Sequence, residues 1–192
     1  MTIQQTNPRV TEADVDCQYI DRWSPRAFLP DSVPDWQVMA LFEAARWSPS
    51  CYNEQPWVFR YAVSAAGRAR LASALVTKNQ AWASKAPLLI FVLAQTTFNH
   101  NRTPNRHAAF DAGAAWMSLA FQARRFGLYA HAMAGFDEAK AREALGVGSD
   151  YLVLAAIAVG RRGDPGTLPA DLRSMEAPNE RKSLKDVAIA ID

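Results

Sequence analysis

LLIFVLA, at residues 88–94, is apolar at every position. A strand with one wet face alternates apolar and polar residues, so an unbroken apolar run reads as a strand covered on both faces. It therefore belongs at the centre of a sheet. The run is too short to cross a bilayer, which takes about 20 apolar residues in a helix. With 192 residues the chain is long enough for one well-buried domain and short for two.

The flanking sequence interleaves strands with helices. Residues 1–12 read as a loose, flexible polar arm and residues 13–192 as a single domain. A helix is expected over residues 13–22, with Val15, Tyr19 and Arg22 on one face. A second starts with Ser32 as N-cap, Pro34 in the first turn and Asp35 at the capping-box distance. It carries Trp36, Met39, Ala40 and Glu43 toward Trp47, and Pro49 stops it. PWVFRYAV then alternates as a strand, with Trp57, Phe59, Tyr61 and Val63 to one side. Helical stretches over residues 67–77 and 79–85 lead into the central strand.

The polar connection over residues 95–107 is long for a compact domain, as lids, binding loops and disordered segments are. The longest helix, over residues 108–126, ends with Gly127 at its C-cap. Phe110, Ala114, Met117 and Phe121 share one of its faces and are expected to point into the core, while its alanines let another backbone approach closely. A strand (128–133), a helix (137–145, ended by Gly146) and a strand (151–159) follow. The tail is rich in glycine, proline and charge, and its closing RKSLKDVAIAID has an apolar alternation that suits a strand added to a sheet, a partner chain's included. With neither repeat nor linker, the class is α/β or α+β in one domain.

Apolar residues make up 49% and charged residues 21%, with a net charge of +2. Nothing in this balance calls for a nucleic acid or an anionic membrane. The pairs Arg124/Arg125 and Arg161/Arg162 read as solvated surface. The opening MTIQQTNPRVTEADVD lacks an apolar core, so no signal peptide or anchor is expected. Cys17 and Cys51 lie in no ligand or disulfide spacing, which points to a reducing, cytoplasmic setting. His100, His107 and His131 are too scattered to argue for a metal. No dinucleotide, phosphate-loop, zinc-protease or nucleophile-elbow motif is present; GVGSDY lacks the third glycine and precedes a strand.

Two stretches carry chemistry. In RWSPRAF, Arg22 and Arg26 stand four apart with Ser24 between them. Their guanidinium forks suit a phosphate or a carbonyl-rich heterocycle, and equally suit surface pairing with Asp21, Asp31 or Asp35. In SPSCYNEQPW, Pro49 and Pro56 stiffen a loop whose Asn53 and Gln55 amides can face a flat heterocycle, with Tyr52 or Trp57 as apolar cover, or can satisfy neighbouring backbone.

Taken in order, RWSPRAF, EAARWSPSCYNEQPW, NQAWASKAPLLI, DAGAA, AGF and a late Arg181 resemble the FMN-dependent nitroreductase family across residues 20–187. The resemblance implies an α+β fold, a nitroreductase-like mixed sheet flanked by helices and spanning a homodimer, with FMN sites in the subunit interface. Arg22, Ser24 and Arg26 match the motif that grips the flavin's phosphate, ribityl chain and pyrimidine edge. Pro49, Ser50 and Asn53 match a loop that reaches the flavin from the other subunit, and Asn79 a residue near its ring. Ala134 and Gly135 match the segment whose backbone faces the ring, and Arg181 a C-terminal phosphate ligand. No side chain matches a general acid, and no metal is implied.

The implied activity is ping-pong transfer of hydride from NAD(P)H to a nitroaromatic or quinone-like acceptor. Reductive dehalogenation, dehydrogenation (with a contact from His107) or a non-catalytic FMN-binding module are alternatives. The chain departs from the family pattern at Cys51, at Asn179 and in the short 95–107 connection, where relatives often carry a helical insertion over the substrate.

Overall fold

The computed structural model describes residues 7–191. In chain order the elements are α1 (Cys17–Asp21), α2 (Asp35–Arg46), β1 (Trp57–Ala62), α3 (Ala65–Ala72), α4 (Thr77–Ala83), β2 (Leu88–Gln95), α5 (Ala108–Arg125), β3 (Tyr129–Met133), α6 (Glu138–Leu145), β4 (Tyr151–Gly160), α7 (Ala170–Arg173) and α8 (Leu184–Val187). The fold is α+β. Its four strands run in the order β1-β2-β4-β3, and every pairing among the described residues is antiparallel.

β2 is central, as its sequence requires, and its side chains divide by parity. Leu88, Ile90, Val92 and Ala94 face a layer built on α2 and α5, with Val38, Leu41, Ala115 and Leu119. Leu89, Phe91 and Leu93 face the opposite layer, with Leu71, Trp82 and Leu145 from α3, α4 and α6. Each fully buried leucine or isoleucine contributes about 2 kcal/mol, which is why this strand tolerates no polar position until Gln95. A bulge between Val92 and Leu93 shifts the register against β4, so that Leu154 and Ala155 both serve the α2/α5 layer.

The long helix α5 turns a different face inward from the one its aromatic stripe predicts. Ala108, Ala112, Ala115, Leu119, Ala120 and Ala123 are buried, whereas Phe110 is 80% exposed. Small side chains let the helix lie close against the sheet, so the alanines make the core contact, Phe110 is left outside and Phe121 is half-buried against Tyr19. In α2, Val38, Leu41 and Ala45 are buried and Trp36, Met39 and, at its C-cap, Trp47 are exposed.

Boundaries moved for local reasons. α1 starts four residues later than expected because the Asp16 carboxylate caps it, accepting from Gln18 N at 2.9 Å. α2 is entered through Pro34, not Ser32; the Pro34 carbonyl accepts from Gln37 N and Val38 N. The 95–107 connection is a tight excursion, with Phe98 N bonded to the Thr103 carbonyl and Asn105 N to the Thr96 carbonyl. The tail forms a helical turn at α8 rather than a strand, and Ile189 and Ile191 stand exposed beyond it. In the expected arm, Arg9 is buried and hydrogen-bonded, so its described part is tethered there; residues 1–6 lie outside the described residues.

Arg124 is buried too, against the reading of Arg124/Arg125 as solvated surface. It donates to Asp21 Oδ2 through two guanidinium nitrogens and to the Leu128 carbonyl at 3.1 Å, and lies 3.8 Å from the centroid of the Tyr129 ring. Asp21 is fully buried. Removing one partner of such a pair strands a charge in low dielectric. Asp21→Asn is therefore expected to lower unfolding stability by about 3–5 kcal/mol, measured by urea denaturation. Glu43→Ala, which breaks only exposed contacts with Arg46 and Trp47, is expected to cost much less than Asp21→Asn in the same assay.

Candidate functional site

From Asp21 to Ala27 the chain alternates strictly between buried and half-buried positions. Trp23, Pro25 and Ala27 point inward, and Arg22, Ser24 and Arg26 share the other side. This follows from the two-residue period of extended backbone, and Arg22 has extended dihedrals (φ −71°, ψ 115°). The arginine spacing of four is thus the period of an extended segment, which a helix over residues 13–22 would not have supplied. Arg22 Nη1 donates to Ser24 Oγ at 3.4 Å.

The segment is pinned from behind. Glu176, buried in the C-terminal region, accepts from the backbone N–H groups of Arg26 (2.9 Å) and Ala27 (3.0 Å), and lies 4.0 Å from the Arg26 guanidinium. His131 on β3 bonds the Pro25 carbonyl through Nδ1 at 2.9 Å and packs 4.6 Å from the Trp82 ring. Burial pushes the His131 imidazole down to about 4, with Arg26 and Arg22 adding to the effect against the Pro25 and Ser24 carbonyls. At neutral pH it is an uncharged brace.

Two further guanidinium groups, those of Arg9 and Arg181, act on Arg22. Burial first, then Arg181 and Arg9, lowers the Arg22 pKa from its ordinary value. Burial and Arg181 likewise lower that of Arg9, against Glu180 and Asp21. Arg9 and Arg181 also line a cavity of about 600 Å³ between the N-terminal segment and the C-terminal tail. Sequence reading missed Arg9, Glu176 and His131. Each is recognisable only through partners far away in the chain.

Asn79, Ala134 and Gly135 come together at the other end of β3. Asn79 Nδ2 donates to the Gly135 carbonyl at 3.0 Å, and Val76 N donates to the same oxygen at 3.1 Å. A Cβ on Gly135 would meet Asn79 Nδ2 at 2.6 Å, so a larger residue would displace the Asn79 side chain. Ala134 is exposed beside it. From His131, which braces the arginine segment, to Gly135 is four extended residues, roughly 13 Å. β3 and its continuation therefore hold the arginine segment, through His131, and the Ala134–Gly135 backbone on one stretch of chain.

The loop with Pro49, Ser50 and Asn53 lies elsewhere. Tyr52, Asn53 and Gln55 all have φ between 52° and 55°, a left-handed region costing about 1 kcal/mol or more per non-glycine residue. The conformation is held by Cys51 N donating to buried Asp111 (3.0 Å), by Gln55 N donating to Ser50 Oγ (2.9 Å) and by Asn99 N donating to Glu54 (2.7 Å). The Gln55 amide is engaged within the loop on the Asn53 carbonyl, and the Asn53 side chain is exposed. Asp111 opens α5, while Arg124, beside Asp21, closes it, a separation of roughly 20 Å at 1.5 Å per residue. A single chain thus does not bring this loop to Arg22.

Among the described residues, no group of three or more His, Cys, Asp or Glu side chains could hold a metal, and no helix is long and apolar enough to cross a membrane.

The model of the nitroreductase family matches residues 20–79 and 62–161. A crystal structure described as an oxidoreductase containing FMN is 37% identical, covers 97% of this chain and 96% of that one, and superposes with a TM-score of 0.92. A protein of Exiguobacterium sibiricum crystallised with FMN shares the fold at a TM-score of 0.77 and 20% identity, over 97% of this chain and all of its own. A Xanthomonas oryzae protein provisionally named an NADH dehydrogenase/NAD(P)H nitroreductase is 30% identical over 74% of this chain and 81% of its own length.

The His131 brace predicts a pH dependence. Its folded-state value of about 4 lies below its ordinary 6.5, so between these the unfolded chain binds more protons and stability falls as the pH drops. The loss is expected to approach about 3 kcal/mol across that window. Urea denaturation from about pH 7 to about pH 4.5 should show it, and His131→Gln should flatten the dependence.

Proposed function

The chain belongs to the nitroreductase family, and from that premise we propose that it is an FMN-dependent oxidoreductase that works as a homodimer, taking hydride from NAD(P)H and reducing nitroaromatic or quinone-like acceptors. The observation that carries this reading is the convergence of Arg22, Arg181 and Arg9, in which each resolved influence on Arg22 disfavours its charge. Such a cluster is relieved by a dianion, and the phosphate of FMN is one.

The residues fit that cofactor. Arg22 and Arg181 would hold the phosphate, with Ser24 as a shorter donor and Arg26, steadied by Glu176, toward the pyrimidine edge. Asn79 packs against Gly135 and fixes the direction of its carbonyl, and exposed Ala134 beside it is where a flat ring would lie. When bound, FMN would supply the redox chemistry, with NAD(P)H and the acceptor using it in turn. The chain's own part is binding, orientation and charge. A cation at the pyrimidine side favours the reduced, more negative form.

Pro49, Ser50 and Asn53 would come from the partner chain, because their own protomer holds them roughly 20 Å along α5 from Arg22. Exposed Trp36, Met39, Trp47 and Phe110 on the outer faces of α2 and α5 support an interface there.

Two measurements test this reading. Purified protein should carry or take up FMN, and its visible flavin absorbance should bleach anaerobically on addition of NADPH or NADH; a bound flavin that neither reduces refutes the proposed reductant. Co-expressed Arg22→Ala and Asn53→Ala chains should regain FMN reduction that each variant lacks alone. Every mixed dimer then has one site built only from unaltered residues, whereas a site within a single chain would show no recovery.

A further inference from the structure

We infer that Arg9 is a positioning residue for the phosphate end of this site, strapping the segment that carries Arg22 to the segment that carries Arg181. The inference rests on the FMN assignment above.

Arg9 is buried although its neighbours Pro8, Val10 and Thr11 are exposed. Its Nη1 donates to the carbonyls of Ile20 and Arg22, each at 3.0 Å, and its Nε donates to the carbonyl of Asn179 at 2.8 Å. The first two oxygens close α1, where carbonyls lack intrahelical partners and a cation is favoured. The third lies two residues before Arg181. One planar fork thus joins two segments more than 150 positions apart in the chain, and only a guanidinium has donors fixed in enough directions to do so. Asn7 aims it: its Oδ1 accepts from Arg9 N at 3.1 Å, and its Nδ2 donates to the Ile20 carbonyl at 3.0 Å.

The strap has a physical task. Arg22 and Arg181 repel one another, and Arg181 is exposed on a tail segment that would swing outward to relieve the repulsion. Holding both in place before a phosphate arrives moves the cost of ordering them from binding to folding. Arg9 also lends its own charge to the cluster.

The test compares FMN with riboflavin, which lacks the phosphate, as ligands of the flavin-free protein. Arg9→Met is expected to weaken FMN about tenfold and to leave riboflavin affinity unchanged, so the preference for FMN falls by the same factor. Arg9→Lys keeps the charge but loses the fork, and should behave like Arg9→Met. Equal losses for both flavins would mean a general structural role and overturn the inference, as would an Arg9→Lys protein with full FMN preference. Should Arg9→Met fail to fold, Asn7→Ala removes the aiming contacts and leaves Arg9 in the chain, and is expected to lower FMN preference about threefold; an unchanged preference overturns the inference. FMN affinity retained in Arg9→Met refutes the strap alone, whereas wild-type protein that binds neither flavin refutes the FMN assignment and the strap with it.

Discussion

A guanidinium buried at a helix end is tolerable only when its charge and its donors are all answered. At Arg124 they are answered by the Asp21 carboxylate, the Leu128 carbonyl and the face of the Tyr129 ring. These partners belong to three pieces of chain: the end of α1, the turn after α5 and the start of β3. The pair therefore fixes where α1 ends relative to the sheet. Asp21 directly precedes Arg22, so the alternation of buried and half-buried residues that follows takes its phase from this contact. A one-residue slip would send Arg22 and Arg26 into the core and Trp23 into solvent.

From that anchor the candidate site is a sequence of restraints on cations. Glu176 spends its carboxylate on the backbone of Arg26 and Ala27 and stands at the edge of salt-bridge range from the Arg26 guanidinium. It shapes the chain there without neutralising the neighbouring Arg22. His131 stays uncharged by burial and so adds no fourth positive group. Arg9 gives its Nε and Nη1 donors to carbonyls, and its positive charge acts on Arg22. The chain thus keeps positive charge concentrated on one side of the 22–26 segment.

Much of this was legible in the sequence where a pattern has one physical cause. The run at 88–94 has no polar residue, and only a strand covered on both faces accepts that, so β2 was placed correctly. The R-x-S-x-R spacing and the proline-bounded loop were visible as chemistry before any fold. What was not legible came from surfaces that resemble cores. Phe110 shares a helical face with Ala114, Met117 and Phe121 as core residues do, yet in α5 the alanines took the inside because a small side chain allows closer packing. Nor does local sequence tell a buried arginine from a solvated one: Arg124 and Arg125 are adjacent, and only the first meets a carboxylate 103 positions away. Arg9, in a stretch read as loose and polar, is tied down by carbonyls, which every residue carries and no motif marks.

The strained loop bears on the proposal that a second chain completes the site. Tyr52, Asn53 and Gln55 sit in left-handed backbone, and none is a glycine. Such a conformation persists only where surrounding contacts over-determine it, here through Asp111, Ser50 and Glu54. Within its own protomer the result is an exposed tyrosine, 83% accessible, and an exposed asparagine, which return little of the energy stored in the turn. A shape held at that cost toward solvent is accounted for if it is complementary to something outside the protomer. The outward aromatic faces of α2 and α5 flank the loop and carry the apolar area that such a partner would cover. On the proposed reading, dimerisation and completion of the flavin site would be one event, with a cation cluster on one chain facing an amide-bearing loop on the other.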